Sequence, residues 1–261
     1  MVTATTKDVV RDGVKLAYLD VGTGDPPLLF IHGWCCDHGY WRDQIPEFAQ
    51  RHHVVAVDLR GMGESDKPEQ DYDIAGFADD VAWLIRKIGL DRPVLIGHSM
   101  GGVIALKLLR EHADLARAAV FVDSYMAPLS ADLQPLVGQM LEGLKSPAYR
   151  DVASNFISNF LFRAESPSQL RDEVVKRMTS APQRLMHPAL ASTLSEENFP
   201  AGALPVPSLF VRAATLPATE EQLAERYPGL EVVSVDAAHF VQMEKPQEFN
   251  AILSRFLEKV V

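Results

Sequence analysis

Only two cysteines stand in the 261 residues, and they are neighbours, Cys35 and Cys36. Adjacent cysteines close no useful loop, so a stabilising disulfide is not expected. Their spacing offers no metal-ligand pattern either, and none of the eight histidines sits in H-E-x-x-H or a comparable arrangement. Reduced thiols fit a cytoplasmic protein. Long apolar runs are also missing. Nothing approaches the ~20 residues of a membrane span, and the N-terminal "MVTATTKDVV" has no apolar targeting core, so no membrane partner is expected. Positive charge is scarce: 25 Lys and Arg stand against 35 Asp and Glu, a net charge of −10 with no basic cluster. Phosphate contacts need clustered cations, so nucleic acid is excluded as a partner, and the charge reads as ordinary like-charge repulsion between soluble molecules. Internal repeats and low-complexity tracts are absent as well.

What the chain does have is apolar residues, 47% of the total, enough for a large core. Its length suits one α/β core with an insertion. "KDVVRDGVKLAYLDVG" alternates around Asp12-Gly13 and reads as a hairpin. Short continuous apolar runs follow at 27–33, 54–59, 93–98, 118–124, 207–213 and 230–236, the pattern of strands buried on both faces. Between them run helical periods, such as Phe77, Val81, Leu84, Ile85 and Ile88, and at the end Phe249, Ile252, Leu253, Phe256, Leu257 and Val260. This alternation predicts a mostly parallel sheet with helices on both faces. Residues 126–204 break the rhythm. They hold no convincing strand, only short helical patterns punctuated by prolines 128, 147, 167, 182, 188 and 200. They read either as a helical lid over a pocket or as extra helices packed on the sheet edge. The expected division is a core of 1–125 and 205–261 and a cap of 126–204.

"GHSMGG" (97–102) places Ser99 between the run "PVLI" and the helical run "MGGVIALKLLREH". Such a sharp strand-to-helix turn strains its pivot, and Gly97 and Gly101 leave room where side chains would collide. The serine hydroxyl emerges at the carboxyl end of the sheet. A nucleophile there needs donors for the oxyanion it creates. The expected donors are the backbone N–H groups of Met100 and of Trp34, which follows "LLFIHG". A base must reach the serine proton, and His239 in "DAAHFVQMEKPQEF" lies just past the last expected strand. His32 is expected to brace its loop. His52 and His53 begin a strand on the opposite edge, His98 is the inward neighbour of the elbow, and His38, His112 and His187 fall in helical or lid segments.

Four stretches, "HGW" at 32–34, "DLRGMGES" at 58–65, "GHSMGG" at 97–102 and "AAHFVQMEKPQEF" at 237–249, stand in the order found in the α/β-hydrolase superfamily, and the chain resembles that family over essentially its whole length. The resemblance implies an eight-stranded α/β-hydrolase sheet, a Ser–acid–His triad, a helical cap after the sixth strand and no cofactor. Relatives that are haloalkane dehalogenases or epoxide hydrolases attack with Asp at the position of Ser99, which disfavours their chemistry here. Asp58 and Arg60 of "DLRGMGES" are expected to be structural.

The acid is where the sequence departs from the family pattern. Relatives usually carry it after the seventh strand, where this chain has Leu216. Glu220 and Glu221 follow but look like the first turn of a helix. The sixth strand offers Asp123 instead, and Ser99, Asp123 and His239 keep the order Ser…Asp…His. Asp123 is the leading candidate; Glu220, Glu221, Asp236 or no acid at all are the alternatives. The reaction expected is hydrolysis of a carboxylic ester or lactone of a small, largely apolar molecule, with Trp34, Tyr125 and Met126 lining its pocket. Carbon–carbon bond hydrolysis, acyl transfer and ligand recognition on the same fold are the competing readings. Arg163 and Arg184 offer charges for a substrate carboxylate, though surface placement suits them better. Oligomeric state has no signature in the sequence.

Overall fold

The computed structural model describes residues 5–214 and 218–260. The chain opens with the hairpin: β1 (Thr5–Arg11) pairs antiparallel with β2 (Val14–Val21), with Arg11 opposite Val14 across the Asp12-Gly13 turn. The expected runs then follow as β3 (Leu28–Ile31), α1 (Ile45–Phe48), β4 (Val54–Val57), α2 (Ile74–Ile88), β5 (Val94–His98), α3 (Met100–Glu111) and β6 (Ala118–Val122). After the insertion come β7 (Ser208–Ala213), α8 (Glu220–Arg226), β8 (Glu231–Val235), α9 (Val241–Glu244) and α10 (Pro246–Val260). The insertion is wholly helical: α4 (Gln134–Lys145), α5 (Tyr149–Phe160), α6 (Ser168–Met178), α7 (Gln183–Thr193) and a 3-10 turn, Glu196–Asn198. Pro188 lies inside α7 rather than between helices. Leu216, the position after β7 where relatives usually carry the acid, lies outside the described residues.

One eight-stranded sheet runs in the order β1-β2-β4-β3-β5-β6-β7-β8. The strands from β4 to β8 are parallel, and only β1 and β2 run against their neighbours. Strand alternation feeds two cores. Leu29, Ile31, Val55, Val57, Leu95 and Phe121 face α2, α3 and the insertion; Leu28, Phe30, Val54, Ala56, Ile96 and Val120 face α1 and α10. That double burial is why these strands read as unbroken apolar runs. Local signals agree with the packing. Asp73 caps α2 by accepting the Gly76 N–H at 2.7 Å, and Gly89, at φ +67°, ends it. The strand order reverses around β3 and β5, which opens a crevice at their carboxyl ends. The loop after β3, the β5–α3 turn, the end of β6 and the loop after β8 all meet there.

Candidate active site

Ser99 is the turn between β5 and α3, held at φ +54° and ψ −119°. A non-glycine residue in that region stores strain, and strain of this kind concentrates at functional sites. The neighbouring glycines make the turn possible. A Cβ on Gly97 would collide with the Gly101 carbonyl, and one on Gly101 with the Ile31 carbonyl. Ser99 stands at the N-cap of α3, yet its side chain makes no capping hydrogen bond. A serine there ordinarily accepts from the first turn's N–H groups; this hydroxyl is directed elsewhere. Met100 opens the helix, where N–H groups have no intrahelical acceptor. The loop after β3 lies against the elbow: a Cβ on Gly33 would stand 3.2 Å from the Ser99 Cβ. Trp34 is the next residue, and its indole Nε1–H donates to the Met186 carbonyl of α7 at 2.9 Å.

Asp123 follows β6 at φ +43° and is only 1% exposed. Its Oδ1 accepts the Ala213 N–H at the end of β7, at 2.9 Å, and its Oδ2 accepts from His239 Nδ1 at 2.7 Å. The structure therefore joins this carboxylate to His239. The other candidate acids sit apart. Glu220 and Glu221 form the first turn of α8 behind a Thr219–Gln222 capping box, and Glu220 accepts from Ser234. Asp236 is 86% exposed and pairs with Arg163 at 2.7 Å.

The other histidines have structural partners or a different place. His32 bridges its loop, donating from Nδ1 to the Gly33 carbonyl (2.8 Å) and accepting the Leu59 N–H at Nε2 (3.1 Å). His98, fully buried, donates from Nε2 to the His239 carbonyl at 3.0 Å, with its ring centre 4.7 Å from that of His239. Burial, then the neighbouring His239 imidazole, holds the His98 pKa well below the ordinary value, and its Nδ1 is buried with no partner. His52 bonds the Pro26 carbonyl, and His53 pairs with Asp20. His38 pairs with Asp58, which also accepts the N–H groups of His38 and Glu64; Arg60 pairs with Asp80. His112 caps the end of α3, and His187 lies in α7.

Ser99, Asp123 and His239 line one cavity of about 420 Å3, together with Gly33, Trp34, Tyr125 and residues of the insertion. Its remaining walls are chiefly apolar, from Leu133, Leu136, Val137 and Met140 on α4 and its approach to Phe156, Phe160 and Leu161 on α5 and its end. Burial, then the Asp123 charge, raises the Tyr125 phenol. The cysteines lie at the same loop: Cys36 lines the cavity, and burial raises both thiols well above the ordinary value. Met126 corrects an expectation. It does not line this cavity; its side chain packs into the core and its carbonyl accepts the Tyr227 hydroxyl at 2.7 Å. Arg163 and Arg184 are absent from the lining as well; Arg184 donates to the Lys67 carbonyl. Among the described residues no cluster of His, Cys, Asp and Glu could hold a metal ion, and no helix is long and apolar enough to cross a membrane.

The family description α/β hydrolase fold matches residues 26–246, and the chain belongs to that family. A haloalkane dehalogenase from Sphingobium indicum is 28% identical, the alignment covering 95% of this chain and 93% of that protein. Among solved structures, Est816, described as an N-acyl homoserine lactone degrading enzyme, aligns with a TM-score of 0.78 at 27% identity over 96% of this chain and 100% of its own. An esterase from Thermogutta terrifontis aligns with a TM-score of 0.82 at 24% identity over 99% of each chain, a likeness of fold. The class these relatives share with the chain is hydrolase.

Proposed function

We propose that the protein hydrolyses a carboxylic ester or lactone of a small, largely apolar molecule through an acyl-enzyme on Ser99. The observation that carries this reading is the 2.7 Å contact between Asp123 and His239 Nδ1, in the cavity that also contains Ser99. Asp123 fixes the tautomer, so Nε2 is the basic nitrogen. His239 takes the Ser99 proton as the hydroxyl attacks the carbonyl carbon, and the N–H groups of Trp34 and Met100 stabilise the oxyanion. The protonated imidazole then passes its proton to the leaving alcohol. Water, activated by the same histidine, attacks the acyl-enzyme and releases the acid.

The reacting atom separates this chemistry from dehalogenation. Serine displacing halide from a saturated carbon would be left as an alkyl ether, which water does not release. Attack on an acyl carbon leaves an ester, which water does. The cavity supports an uncharged substrate: apart from Asp123, whose oxygens are both engaged, no Asp, Glu, Lys or Arg lines it among the described residues. In this reading residues 126–204 act as a cap on a core of 1–125 and 205–261, with no cofactor. Ser99→Ala should lower kcat for p-nitrophenyl butyrate by at least about 10⁴-fold. Turnover surviving in that variant overturns the assignment.

A further inference from the structure

The chain leaving α5 crosses the loop that bears His239. The Leu161 carbonyl accepts the His239 N–H at 3.2 Å. Phe162 stacks on Phe240, ring centres 5.4 Å apart. Arg163 Nη1 donates to Asp236 at 2.7 Å, while its backbone N–H donates to Ser166 Oγ at 3.0 Å. The Ser166 hydroxyl, buried, donates to Glu244 Oε1 at 3.0 Å, and Glu244 Oε2 accepts the Ala238 N–H at 3.0 Å. Two consecutive backbone N–H groups at the histidine are thus held from outside its loop, one by Glu244 and one by the insertion.

We infer that Glu244 is a positioning residue for His239, and that Leu161–Ser166 is a strap through which the inserted helices set the histidine's place. This rests on the reading of His239 as general base. The imidazole must satisfy Asp123 at Nδ1 and Ser99 at Nε2 at once. Asp123 fixes one point of the ring; the backbone of 238–239, between β8 and α9 and outside the sheet, must fix the rest. His98 holds the His239 carbonyl from the elbow side. Glu244 completes the support with a charge-assisted bond, stronger than a neutral one, and passes it through Ser166 to the strap. A misplacement of about 1 Å costs on the order of 10²-fold in rate, so the support acts on turnover more than on binding.

The test compares Glu244→Ala, Glu244→Gln and Ser166→Ala. Glu244→Ala should lower kcat by about 10- to 100-fold with KM nearly unchanged. Glu244→Gln, whose amide oxygen still accepts the Ala238 N–H, should recover most of the rate. Ser166→Ala, which removes both the bond to Glu244 and the acceptor of the Arg163 N–H but spares the carboxylate, should cost roughly fivefold, less than loss of the carboxylate itself. Proton NMR supplies a readout independent of Ser99: the downfield Nδ1–H resonance of His239, assigned by its loss in His239→Ala, should broaden or disappear in Glu244→Ala. That loss supports the strap whether or not Ser99 proves to be the nucleophile. A lowered melting temperature with kcat and the resonance unchanged would mark Glu244 as merely structural and overturn the inference.

Discussion

At the scale of single residues, strain and partners mark the site better than residue type. Of the five non-glycine residues with positive φ among the described residues, Ser99, Asp123 and Cys35 lie in or beside the cavity's loops, while Asp12 and Arg92 stand away from it. The serine and histidine were legible in the sequence because their surroundings are: a glycine-flanked elbow after an apolar run, and a loop after the last strand. The acid was not fixed in that way. Its place depends on which strand end reaches the imidazole, and several carboxylates fitted the order. Only geometry brings Asp123 Oδ2 to His239 and leaves Asp236 and Glu220 with other partners. Met126 packs in the core rather than on the cavity wall, and an apolar residue next to a site has no sequence mark that separates the two. Glu244 was missed for a related reason: it reads as an ordinary acid on a helix, and its partner is a backbone N–H. Replacing Asp123 by Asn leaves the shape but permits the wrong imidazole tautomer, a loss of about 10⁴-fold in the serine-protease precedent.

At the scale of elements, the strands were legible through double burial, whereas the insertion's apolar residues were ambiguous. On α4 and α5, Leu144 and Ile157 are fully buried, while Leu136 and Phe160 remain 43% and 50% exposed at the cavity. An apolar stripe that is only partly buried is what a pocket wall requires, and periodicity alone does not distinguish it from a packed face. Beside its apolar packing on the core, the insertion is held by polar contacts. On α6, Arg177 pairs with Asp37 at 2.6 Å and lies 4.3 Å over the Tyr40 ring, while Glu173 pairs with both Arg177 and Arg42. Asp37 follows the Trp34 loop by three residues, so this latch joins α6 to the same edge of the site. Arg177→Ala should weaken the docking by about 1–2 kcal/mol, adding a partly buried ion pair to a cation–π contact. Limited proteolysis should then cut within 134–193 several times faster than in the wild type; equal rates would show that apolar packing alone holds α6.

At the scale of the whole molecule, buried histidines should set the acid limit of stability. Burial holds the pKa values of His32 and His98 below the ordinary 6.5, well below for His98. Below pH 6.5 the unfolded chain takes up protons that these folded imidazoles refuse, so stability is full above that value and falls as pH drops. The slope is at most about 1.4 kcal/mol per pH unit for each histidine. His38 acts in the opposite sense. Its bond to Asp58 raises its pKa, so its contribution is full below 6.5 and fades as pH rises through the raised value. The deeper burial of His32 and His98 decides the balance. Urea midpoints should fall between pH 7.5 and 5.5, and His98→Gln should flatten the dependence. A midpoint that is level or rises over that range would contradict this.

Under the proposed function, Ser99 is made nucleophilic by a histidine that Asp123 orients. The most direct measurement of that reactivity is the rate of phosphonylation by a p-nitrophenyl phosphonate, with the modified residue mapped by peptide mass spectrometry. One phosphonyl group per chain is expected, on Ser99, with a rate lowered by about 10⁴-fold in Asp123→Asn. A label on another residue, or equal rates in the two proteins, would contradict the proposed function.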